Sequence, residues 1–432
     1  MYWQKEIETL PSGDLQNYQI KQLKNTVRQA MNSSYYGDLF KKKNLTPDSV
    51  SSVEDIRKFP FTTKQDLREN FPYGLLTIPK EEVVRLHSTS GTTGNPTVIF
   101  HNRHDLSSWA NLVARSLYST GVRSTDVFQN ICGYGLFTGG LGFQYGAEHL
   151  GCLTIPAGAG NSLRQIKLMR DYNTTVVHAI PSYLGRLHEV FLSEGIKPED
   201  TDLKIFVIGA EPHTEEQRQR IEQMFNVKAY NSFGLTEMNG PGVAFECTEQ
   251  SGLHIWEDAY MVEIINPDTL EPVEDGEIGE LVLTTLDRQA MPIIRYRTRD
   301  LTRIIPGKCA CGRTHRRLDR ITGRSDDMFI IKGCNVFPMQ IEGVLMRVPE
   351  VGSDYRITLE EINENDEMII EVEVKSNWFD GNIVKLDNMS KNLERQIRDE
   401  VLVKPIVKLV ESGSLPKSEG KAVRVFDKRN RF

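Results

Sequence analysis

The sequence lacks the features that would indicate a membrane or nucleic-acid protein. None of its apolar runs approaches the roughly 18 residues of a membrane-spanning helix. Basic residues are not in excess, since the net charge is -7, and this balance gives no electrostatic reason to bind nucleic acid or anionic lipid. The first residues, MYWQKEIETL, carry charges within their only apolar stretch, which is unlike a signal peptide. We therefore expect a cytoplasmic protein without a membrane or nucleic-acid partner.

Two common nucleotide-binding signatures are also missing, and the chain has no internal repeat. A Walker A loop has the pattern G-x-x-x-x-G-K-[ST], and neither Gly-Lys pair, at 307–308 and 420–421, fits it. The dinucleotide pattern G-x-G-x-x-G fails in GYGLFTGG because Thr138 stands where the third glycine belongs. The motifs therefore indicate neither a P-loop nor a Rossmann nucleotide site.

The chain has the composition of a globular protein, and strand patterns alternate with helix patterns along part of it. Its 432 residues, 39% apolar and 26% charged, suffice for two or three domains. Helical spacing predicts a helix over 15–31, and from 152 to 234 short apolar stretches alternate with amphipathic ones. This alternation predicts βαβ units and a mostly parallel sheet, whose ligands bind at the carboxyl ends of strands. GAEP (209–212) and NSFGLTEMNGPG (231–242) lie at such ends.

Beyond residue 253 the pattern changes to strands separated by turn signals, which is typical of a small antiparallel sheet or barrel. The last hundred or so residues mix helix and strand patterns, as in a compact α+β domain. The predicted fold class is α/β, with a large N-terminal domain of mixed, mostly parallel sheets and helices. The predicted parts are the N-terminal domain (1–322), its antiparallel β subdomain (253–322), a hinge (323–327) and a small mobile α+β C-terminal domain (328–432).

The densest run of small hydroxylated residues is STSGTTG, residues 88–94. The strand-like VVRLHS precedes it and TVIFH follows it, so we expect a loop between two strands. Its hydroxyls and backbone N–H groups can surround a phosphate. On composition alone, a flexible polar turn explains the run equally well.

The order of motifs resembles that of the adenylate-forming acyl-CoA synthetase superfamily. STSGTTGNPT is similar to its phosphate loop, NSFGLTEMNGPG to its adenine and magnesium motif, and RYRTRD to its ribose motif. GRSDDMFIIKG is similar to its interdomain hinge and LPKSEGKAVRV to its catalytic-lysine motif. GYGLFTGGLGFQYGAEHLG, GAEP, IWED and GCNVFP resemble the phenylacetate–CoA ligase branch in particular. The resemblance implies ATP, Mg²⁺, coenzyme A and a small carboxylic acid as ligands, and suggests a homodimer.

The resemblance also implies which residues bind the nucleotide. Glu237 would bind magnesium, a role that suits a carboxylate, and Asp300 would accept both ribose hydroxyls. Asn95 departs from the superfamily, which commonly has Lys there, and we expect a weaker grip on pyrophosphate rather than lost activity. The other implied residues are Ser88, Thr89, Ser90, Gly91, Thr92, Thr93, Gly94, Gly209, Ala210, Glu211, Pro212, Asn231, Ser232, Phe233, Gly234, Thr236 and Arg324.

Further residues are implied for the two chemical steps. Lys421, which follows the turn sequence SEG, would bridge the carboxylate and the α-phosphate during adenylation. Asp326 matches the hinge, and Lys332 with Gly333 would face the site during thioester formation.

The acid is expected to bind against YGLFTGG. Tyr134 and Phe137 supply flat apolar walls, whereas Gly139 and Gly140 leave room for a ring. A position of Tyr134 in the core is an equally good interpretation.

Six cysteines in a cytosolic chain are more often free or metal-bound than bridged. Cys309 and Cys311 lie in the predicted β subdomain, and Cys247 and His254 could come from the loop that leads into it. Three Cys with one His form a closed structural zinc site. CACGRTH has C-x-C rather than C-x-x-C spacing, and His315 competes with His254 as the fourth ligand. Reduced thiols without a metal are the alternative.

These motifs predict an ATP- and magnesium-dependent acid–CoA ligase of the phenylacetate–CoA ligase type. It would form an acyl-adenylate and pyrophosphate, and then, after rotation of the C-terminal domain, a CoA thioester and AMP. Transfer of the acyl group to another acceptor, such as a carrier protein, is one alternative. A non-catalytic nucleotide-binding protein is another, against which the intact Glu237, Asp300 and Lys421 argue. The sequence leaves the identity of the acid open.

Overall fold

The computed structural model describes residues 1–89, 95–362, 365–375, 378–379, 382–416 and 423–429. Contacts group the chain into two compact units. The first unit comprises Met1–His178, Thr201–Ala210 and Tyr230–Arg320, and the second comprises Ala179–Asp200, Glu211–Ala229 and Ile321–Phe432. The domain limits and hinge expected from the sequence stay a prediction. No helix in the described ranges is both long enough and apolar enough to cross a membrane.

The helices begin at capping residues in many cases. Asn102 is an example, because its side chain accepts a hydrogen bond from the N–H of Asp105 while the Asp105 carboxylate accepts one from the N–H of Asn102. The α-helices are α1 Lys5–Glu8, α2 Ser12–Ala30, α3 Ser34–Lys43, α4 Lys64–Glu69, α5 Arg103–Ser119, α6 Thr138–Leu150, α7 Ser162–Asp171, α8 Pro181–Ser193, α9 Glu215–Phe225, α10 Pro338–Met346 and α11 Ile383–Val401. Short 3₁₀ helices span Pro47–Ser49, Val53–Lys58, Lys80–Glu82, Pro198–Asp200 and Thr236–Met238.

The strands are mostly short, as expected for a chain rich in turns. They are β1 Arg85–Ser88, β2 Val98–His101, β3 Val127–Asn130, β4 Leu153–Ile155, β5 Val176–Ala179, β6 Ile205–Gly209, β7 Lys228–Leu235, β8 Gly240–Glu246, β9 Leu253–Ile255, β10 Tyr260–Ile265, β11 Gly279–Thr285, β12 Tyr296–Thr302, β13 Ile304–Ile305, β14 Arg317–Leu318, β15 Gly323–Arg324, β16 Phe329–Ile331, β17 Cys334–Val336, β18 Val351–Ile362, β19 Asn365–Val374, β20 Ile406–Glu411 and β21 Val425–Asp427.

The largest sheet has nine strands in the order β13-β14-β9-β8-β7-β6-β5-β3-β4. β3 pairs parallel with β4 and β5, whereas β7, β8, β9, β14 and β13 pair antiparallel in turn. The predicted alternation of strands and helices between 152 and 234 is confirmed, and so is the helix predicted over 15–31, which is α2. In this sheet four strands lie side by side, in the order β7-β6-β5-β3.

Two smaller sheets complete the first unit. β1 and β2 form an antiparallel hairpin, as predicted for the strands around the hydroxylated run. β10, β11 and β12 pair antiparallel in that order, which confirms the small antiparallel sheet predicted beyond residue 253.

The second unit contains an α+β arrangement, as predicted for the end of the chain. β18 pairs antiparallel with β19, and β21 and β20 add to them as parallel strands. Its core includes Ile341 of α10, Leu393 and Ile397 of α11, and the sheet residues Ile357 and Ile370, all fully buried.

α6 is a helix that its own sequence does not favour, since TGGLGFQYGAEHL contains four glycines. Its glycines permit close packing instead. A Cβ on Gly146 would lie 2.3 Å from Cγ1 of Val113 on α5, and a Cβ on Gly142 would lie 2.4 Å from the Trp109 ring. Packing against α5 therefore stabilises α6, and neither helix was predicted from the sequence.

Gly146→Ala should destabilise the protein through overpacking. We expect the free energy of unfolding to fall by about 1–3 kcal/mol, because the Val113 side chain must move. Gly139→Ala is the matched control on the same helix: a Cβ there meets nothing within 4 Å. Its better helix propensity should leave stability unchanged or slightly raised. Urea unfolding of both variants tests this, and equal losses would contradict the packing argument.

Candidate functional site

The paired strands β1 and β2 form the stem of the predicted phosphate loop (residues 85–89 and 95–101, the hydroxyl hairpin). Ser88 pairs with Val98 at the end of the ladder. Beyond this pair the N–H of Thr89 donates to the carbonyl of Thr97 at 3.1 Å, and the two threonine hydroxyls lie 2.9 Å apart. The stem is therefore closed up to the start of the loop. The predicted residues Ser90, Gly91, Thr92, Thr93 and Gly94 lie outside the described residues.

The loop that follows β3 (residues 131–137, the acid loop) is attached to this stem. The carbonyl of Leu136 accepts hydrogen bonds from the N–H of Ser88 at 2.9 Å and from Nδ1 of His87 at 3.0 Å. Because a carbonyl only accepts, Nδ1 of His87 carries the proton. Burial lowers the pKa of His87, so the ring is neutral. The predicted phosphate and acid regions are thus neighbours.

The adenine motif depends on close approach between β6 and β7. A Cβ on Gly209 would lie 2.3 Å from Oγ of Ser232, whose hydroxyl donates to the carbonyl of Ile208 at 3.0 Å. Only glycine fits there, and Ala210 then leaves the strand in the left-handed region, at φ 67°. The other predicted residues of this motif in the first unit follow on β7 and its 3₁₀ turn: Asn231, Phe233, Gly234 and Thr236.

Glu237 is held in the 3₁₀ turn between β7 and β8 and is only 6% exposed. Its Oε1 accepts a hydrogen bond from the hydroxyl of Tyr296 at 3.0 Å and a longer one, 3.4 Å, from Thr97. Its backbone carbonyl accepts from the Arg288 guanidinium at 2.7 Å. The structure therefore joins the hydroxyl hairpin, the adenine motif and the ribose motif at this carboxylate. An oxygen ligand in such a setting fits a hard cation such as Mg²⁺.

Asp300, the predicted ribose residue, lies half-buried on β12. Its N–H donates to Oγ1 of Thr298 at 3.0 Å, across Arg299, whose φ is 69°. The backbone bend at Arg299 thus sets the direction of the Asp300 side chain. Contact with ribose stays a prediction.

Tyr134 is half-buried in the acid loop rather than in the core. Its hydroxyl donates to Oε1 of Gln144 at 2.9 Å and accepts from Nδ2 of Asn130 at 3.1 Å. Burial raises the pKa of Tyr134 to about 12, so the phenol is neutral. Asn130 on β3 and Gln144 on α6 together orient the Tyr134 side chain.

The other predicted acid-pocket residues differ in the space around them. Phe137 is 54% exposed and precedes the first residue of α6. Gly139 has open space at its Cβ position, whereas a Cβ on Gly140 would lie 2.5 Å from the carbonyl oxygen of Gly133. Gly139 is therefore the position that leaves room for a ligand.

The second unit contains further predicted residues. The Glu211 carboxylate accepts hydrogen bonds from the N–H and the hydroxyl of Ser182, at 3.2 and 3.0 Å, and Pro212 follows it. Arg324 makes a two-pronged ion pair with Asp326, at 2.8 and 2.9 Å. Arg324, which was predicted to bind the nucleotide, therefore binds Asp326, the predicted hinge residue.

Lys332 and Gly333 form the two-residue turn between β16 and β17. Both have positive φ, 49° and 79°, as such hairpin turns require. The Lys332 ammonium lies 2.9 Å from both carboxylate oxygens of Glu367. Lys421 lies outside the described residues.

Cys247, His254, Cys309 and Cys311 form one cluster, the thiol cluster, whose ligand atoms all lie within 4.8 Å of one another. The sulfurs of Cys247 and Cys309 are 3.8 Å apart, and Nε2 of His254 is 3.3 Å from Sγ of Cys311. The four residues predicted from the sequence are thus brought together. Hydrogen bonding from the Cys247 thiol lowers the pKa of Cys311 to about 2, so a thiolate is favoured there.

His315 is not part of this cluster. Its Nε2 lies 3.0 Å from the carbonyl of Ile7, and its Nδ1 lies 3.1 Å from the N–H of Glu257. Both ring nitrogens are therefore used to hold other segments. The structure therefore places His254, and not His315, beside the three cysteines.

Residues 27–286 match the family of AMP-binding enzymes, and residues 333–429 match the AMP-binding enzyme C-terminal domain. The chain is 43% identical to the phenylacetate-coenzyme A ligase of Pseudomonas putida, over 98% of this chain and 96% of that protein. It is 42% identical to the phenylacetate-coenzyme A ligase of Thermus thermophilus, over 99% and 100%. The chain belongs to the phenylacetate–CoA ligase family.

A solved structure resembles the ligase over nearly its whole length. It is 2-hydroxyisobutyryl-CoA ligase in the postadenylation state with an acyl-AMP, R3-HIB-AMP. The TM-score is 0.93 at 28% identity, and the match covers 99% of this chain and 92% of that one. The fold predicted from the sequence is confirmed. The ligase joins a carboxylic acid to coenzyme A at the expense of ATP, through an acyl-adenylate, and releases AMP and pyrophosphate.

The ligase also contains a buried thiol–imidazole–amide arrangement that was not predicted. Nε2 of His178 lies 3.7 Å from Sγ of Cys132, and Nδ1 lies 2.9 Å from Oδ1 of Asn130. The amide orientation is fixed because Nδ2 of Asn130 donates to the carbonyl of Gly140 at 2.7 Å. Burial lowers the pKa of His178 to about 3, so this ring is a poor acceptor for the thiol proton. The arrangement anchors the acid loop to β3, β5 and α6.

Sequence reasoning missed three residues that hold Glu237: Thr97, Arg288 and Tyr296. Thr97 and Tyr296 stand inside the recognised motifs STSGTTGNPT and RYRTRD, so the motifs contained the signal. Arg288 lies outside every recognised motif, and only the fold brings its buried guanidinium to the turn.

Proposed function

We propose that the acid is an arylacetic acid, of which phenylacetate is the simplest. The observation that supports this most is the 43% identity to a phenylacetate-coenzyme A ligase over almost all of both chains. The acid loop is consistent with it, because Tyr134 offers an oriented aromatic face and Gly139 leaves open space. A small hydroxylated aliphatic acid is the second candidate, in view of the likeness to 2-hydroxyisobutyryl-CoA ligase.

The proposed adenylation chemistry must bring together two anions, the carboxylate of the acid and the α-phosphate of ATP. Donors and cations placed where charge develops reduce this repulsion. We assign Glu237 to Mg²⁺, which would neutralise phosphate charge, and Asp300 to the ribose hydroxyls. The hydroxyls of Ser88 and Thr89 stand at the start of the loop assigned to the phosphates.

A pyrophosphate-release assay over a panel of acids tests the substrate class. Phenylacetate should give the highest kcat/KM, above benzoate and above short aliphatic acids. Phe137→Ala should raise KM for the aromatic acid with little change in KM for ATP, because the loss of one apolar wall costs about 1–3 kcal/mol of acid binding.

A preference for 2-hydroxyisobutyrate would favour the second candidate, and an equal rise in both KM values would place Phe137 elsewhere. Pyrophosphate release that is not followed by CoA-dependent AMP release would favour another acyl acceptor.

Lys421 should act only in the first half-reaction. An ammonium group is useful there because negative charge accumulates at the α-phosphate, and the loss of one such donor reduces rate on the order of 10²–10³-fold. Lys421→Ala should therefore nearly abolish pyrophosphate release, while pre-made acyl-adenylate and CoA should still give thioester at close to the normal rate. Lys417→Ala, in the same segment, is the matched control. Comparable loss in both half-reactions would make Lys421 a structural residue.

We also propose that the thiol cluster binds one zinc ion with a structural role. Tetrahedral zinc, with bonds of about 2.3 Å to sulfur, separates two thiolates by about 3.8 Å. The Cys247–Cys309 sulfur separation is 3.8 Å, and three of the four ligands are buried. Three Cys and one His fill the coordination shell, so no position is left open for a substrate.

Purified ligase should then contain about one zinc per chain by elemental analysis. Cys311→Ser should lose most of it and melt roughly 5 °C lower or more, since each kcal/mol is worth about 2–4 °C in a larger domain. Its rate per folded molecule should change less. Cys334→Ser is the control, because Cys334 is also half-buried but lies outside the cluster. Metal-free protein of full stability would disprove the zinc assignment.

Two further parts of the proposal are a homodimer and a cytoplasmic location. The homodimer is suggested by the family resemblance. Cysteines that form no disulfide, such as Cys132 and Cys152, suit a reducing compartment.

A further inference from the structure

The Glu237 carboxylate is held asymmetrically. Both hydrogen bonds from side chains reach the same oxygen, Oε1, and within the described ranges no side chain bonds to Oε2. The hydroxyl of Tyr296 is the closer donor, at 3.0 Å against 3.4 Å for Thr97. The Thr97 hydroxyl also lies 2.9 Å from that of Thr89, and either of the two hydroxyls can be the donor in that contact. Tyr296 is therefore the principal donor to Oε1.

We propose that Tyr296 is a positioning residue that directs Oε2 of Glu237 towards the metal–nucleotide complex. The inference rests on the proposed assignment of Glu237 to Mg²⁺. A carboxylate without a partner rotates about its terminal bond and presents either oxygen. A phenol bonded to Oε1 stops this rotation and leaves Oε2 as the one available ligand atom. Groups that orient a metal ligand in this way typically change metal affinity 10–100-fold when they are removed.

The backbone of the turn does not depend on Tyr296. The Arg288 guanidinium donates to the Glu237 carbonyl at 2.7 Å and also bonds the side chain of Asn239. The hydroxyl of Tyr260 donates to the carbonyl of Met238 at 2.9 Å. Loss of the Tyr296 hydroxyl therefore frees the carboxylate while the turn stays in place.

Tyr260 offers a matched control. Tyr296 and Tyr260 are both buried, with 3% and 1% exposure, and each hydroxyl donates to this turn. One bonds the carboxylate and the other bonds a backbone carbonyl. Tyr296→Phe and Tyr260→Phe should thus lose comparable stability, but only the first should affect the metal.

The experiment compares Mg²⁺ dependence and direct metal binding. In Tyr296→Phe the Mg²⁺ concentration for half-maximal pyrophosphate release should rise about tenfold, with kcat largely recovered at saturating Mg²⁺. Calorimetric titration of Mn²⁺ into enzyme with a non-hydrolysable ATP analogue should show a similar rise in Kd. Tyr260→Phe should change neither quantity. Thr97→Val, which removes the longer bond, should give a smaller shift in the same direction.

Glu237→Gln separates the possible failures. If Glu237→Gln weakens metal binding and Tyr296→Phe does not, the positioning role of Tyr296 is overturned while the proposed metal ligand stands. If Glu237→Gln leaves the Mg²⁺ and Mn²⁺ titrations unchanged, the metal assignment is wrong and the inference falls with it. Equal shifts in both tyrosine variants would show a general effect of the turn and would also overturn the positioning role.

Discussion

Close approach of backbones is the constraint on which the site depends. A Cβ on Gly234 would lie 1.9 Å from the carbonyl oxygen of Gly240, and a Cβ on Gly209 would lie 2.3 Å from Ser232. A larger residue at either position would push β7 away from its neighbours. The Glu237 turn joins β7 to β8, so the distance from its carboxylate to Tyr296 is fixed by these glycines rather than by the carboxylate itself. The lack of a side chain at Gly209 and Gly234 therefore determines where the Glu237 turn lies.

The thiol cluster has a comparable role in the segment that follows Cys309. The buried Arg313 guanidinium pairs with Glu8 at 2.7 Å, and the carbonyl of Cys311 accepts from the Tyr2 hydroxyl at 2.9 Å. Removal of one partner of such a buried ion pair strongly destabilises the protein, because the other charge is left buried and unpaired. The conformation of the Cys309–Arg313 segment thus fixes the first residues of the chain, which is consistent with a structural metal.

The sequence predicted those features that are encoded locally or in motif order. The alternation of apolar strands and amphipathic helices between 152 and 234, and the switch to an antiparallel sheet beyond 253, were confirmed. α6 could not be predicted, since its glycines disfavour a helix and its stability depends on tertiary packing, chiefly against α5. The ion pair between Arg324 and Asp326 was not predicted either, because Arg324 was assigned to the nucleotide and Asp326 to the hinge.

The thiol cluster contains one feature that the sequence could not decide, namely which histidine joins the three cysteines. Cys309 and Cys311 are separated by one residue in the chain, but the position of His254 depends on the register of β9 against β14, in which His254 lies opposite Arg317. That register places Nε2 of His254 at Cys311 and leaves His315 to bond the Ile7 carbonyl. The sequence spacing alone left His315 as a competitor of His254 for a place in the cluster. A shift of one residue in this pairing would turn His254 to the other face of the sheet, so tertiary register decides which histidine joins the thiol cluster.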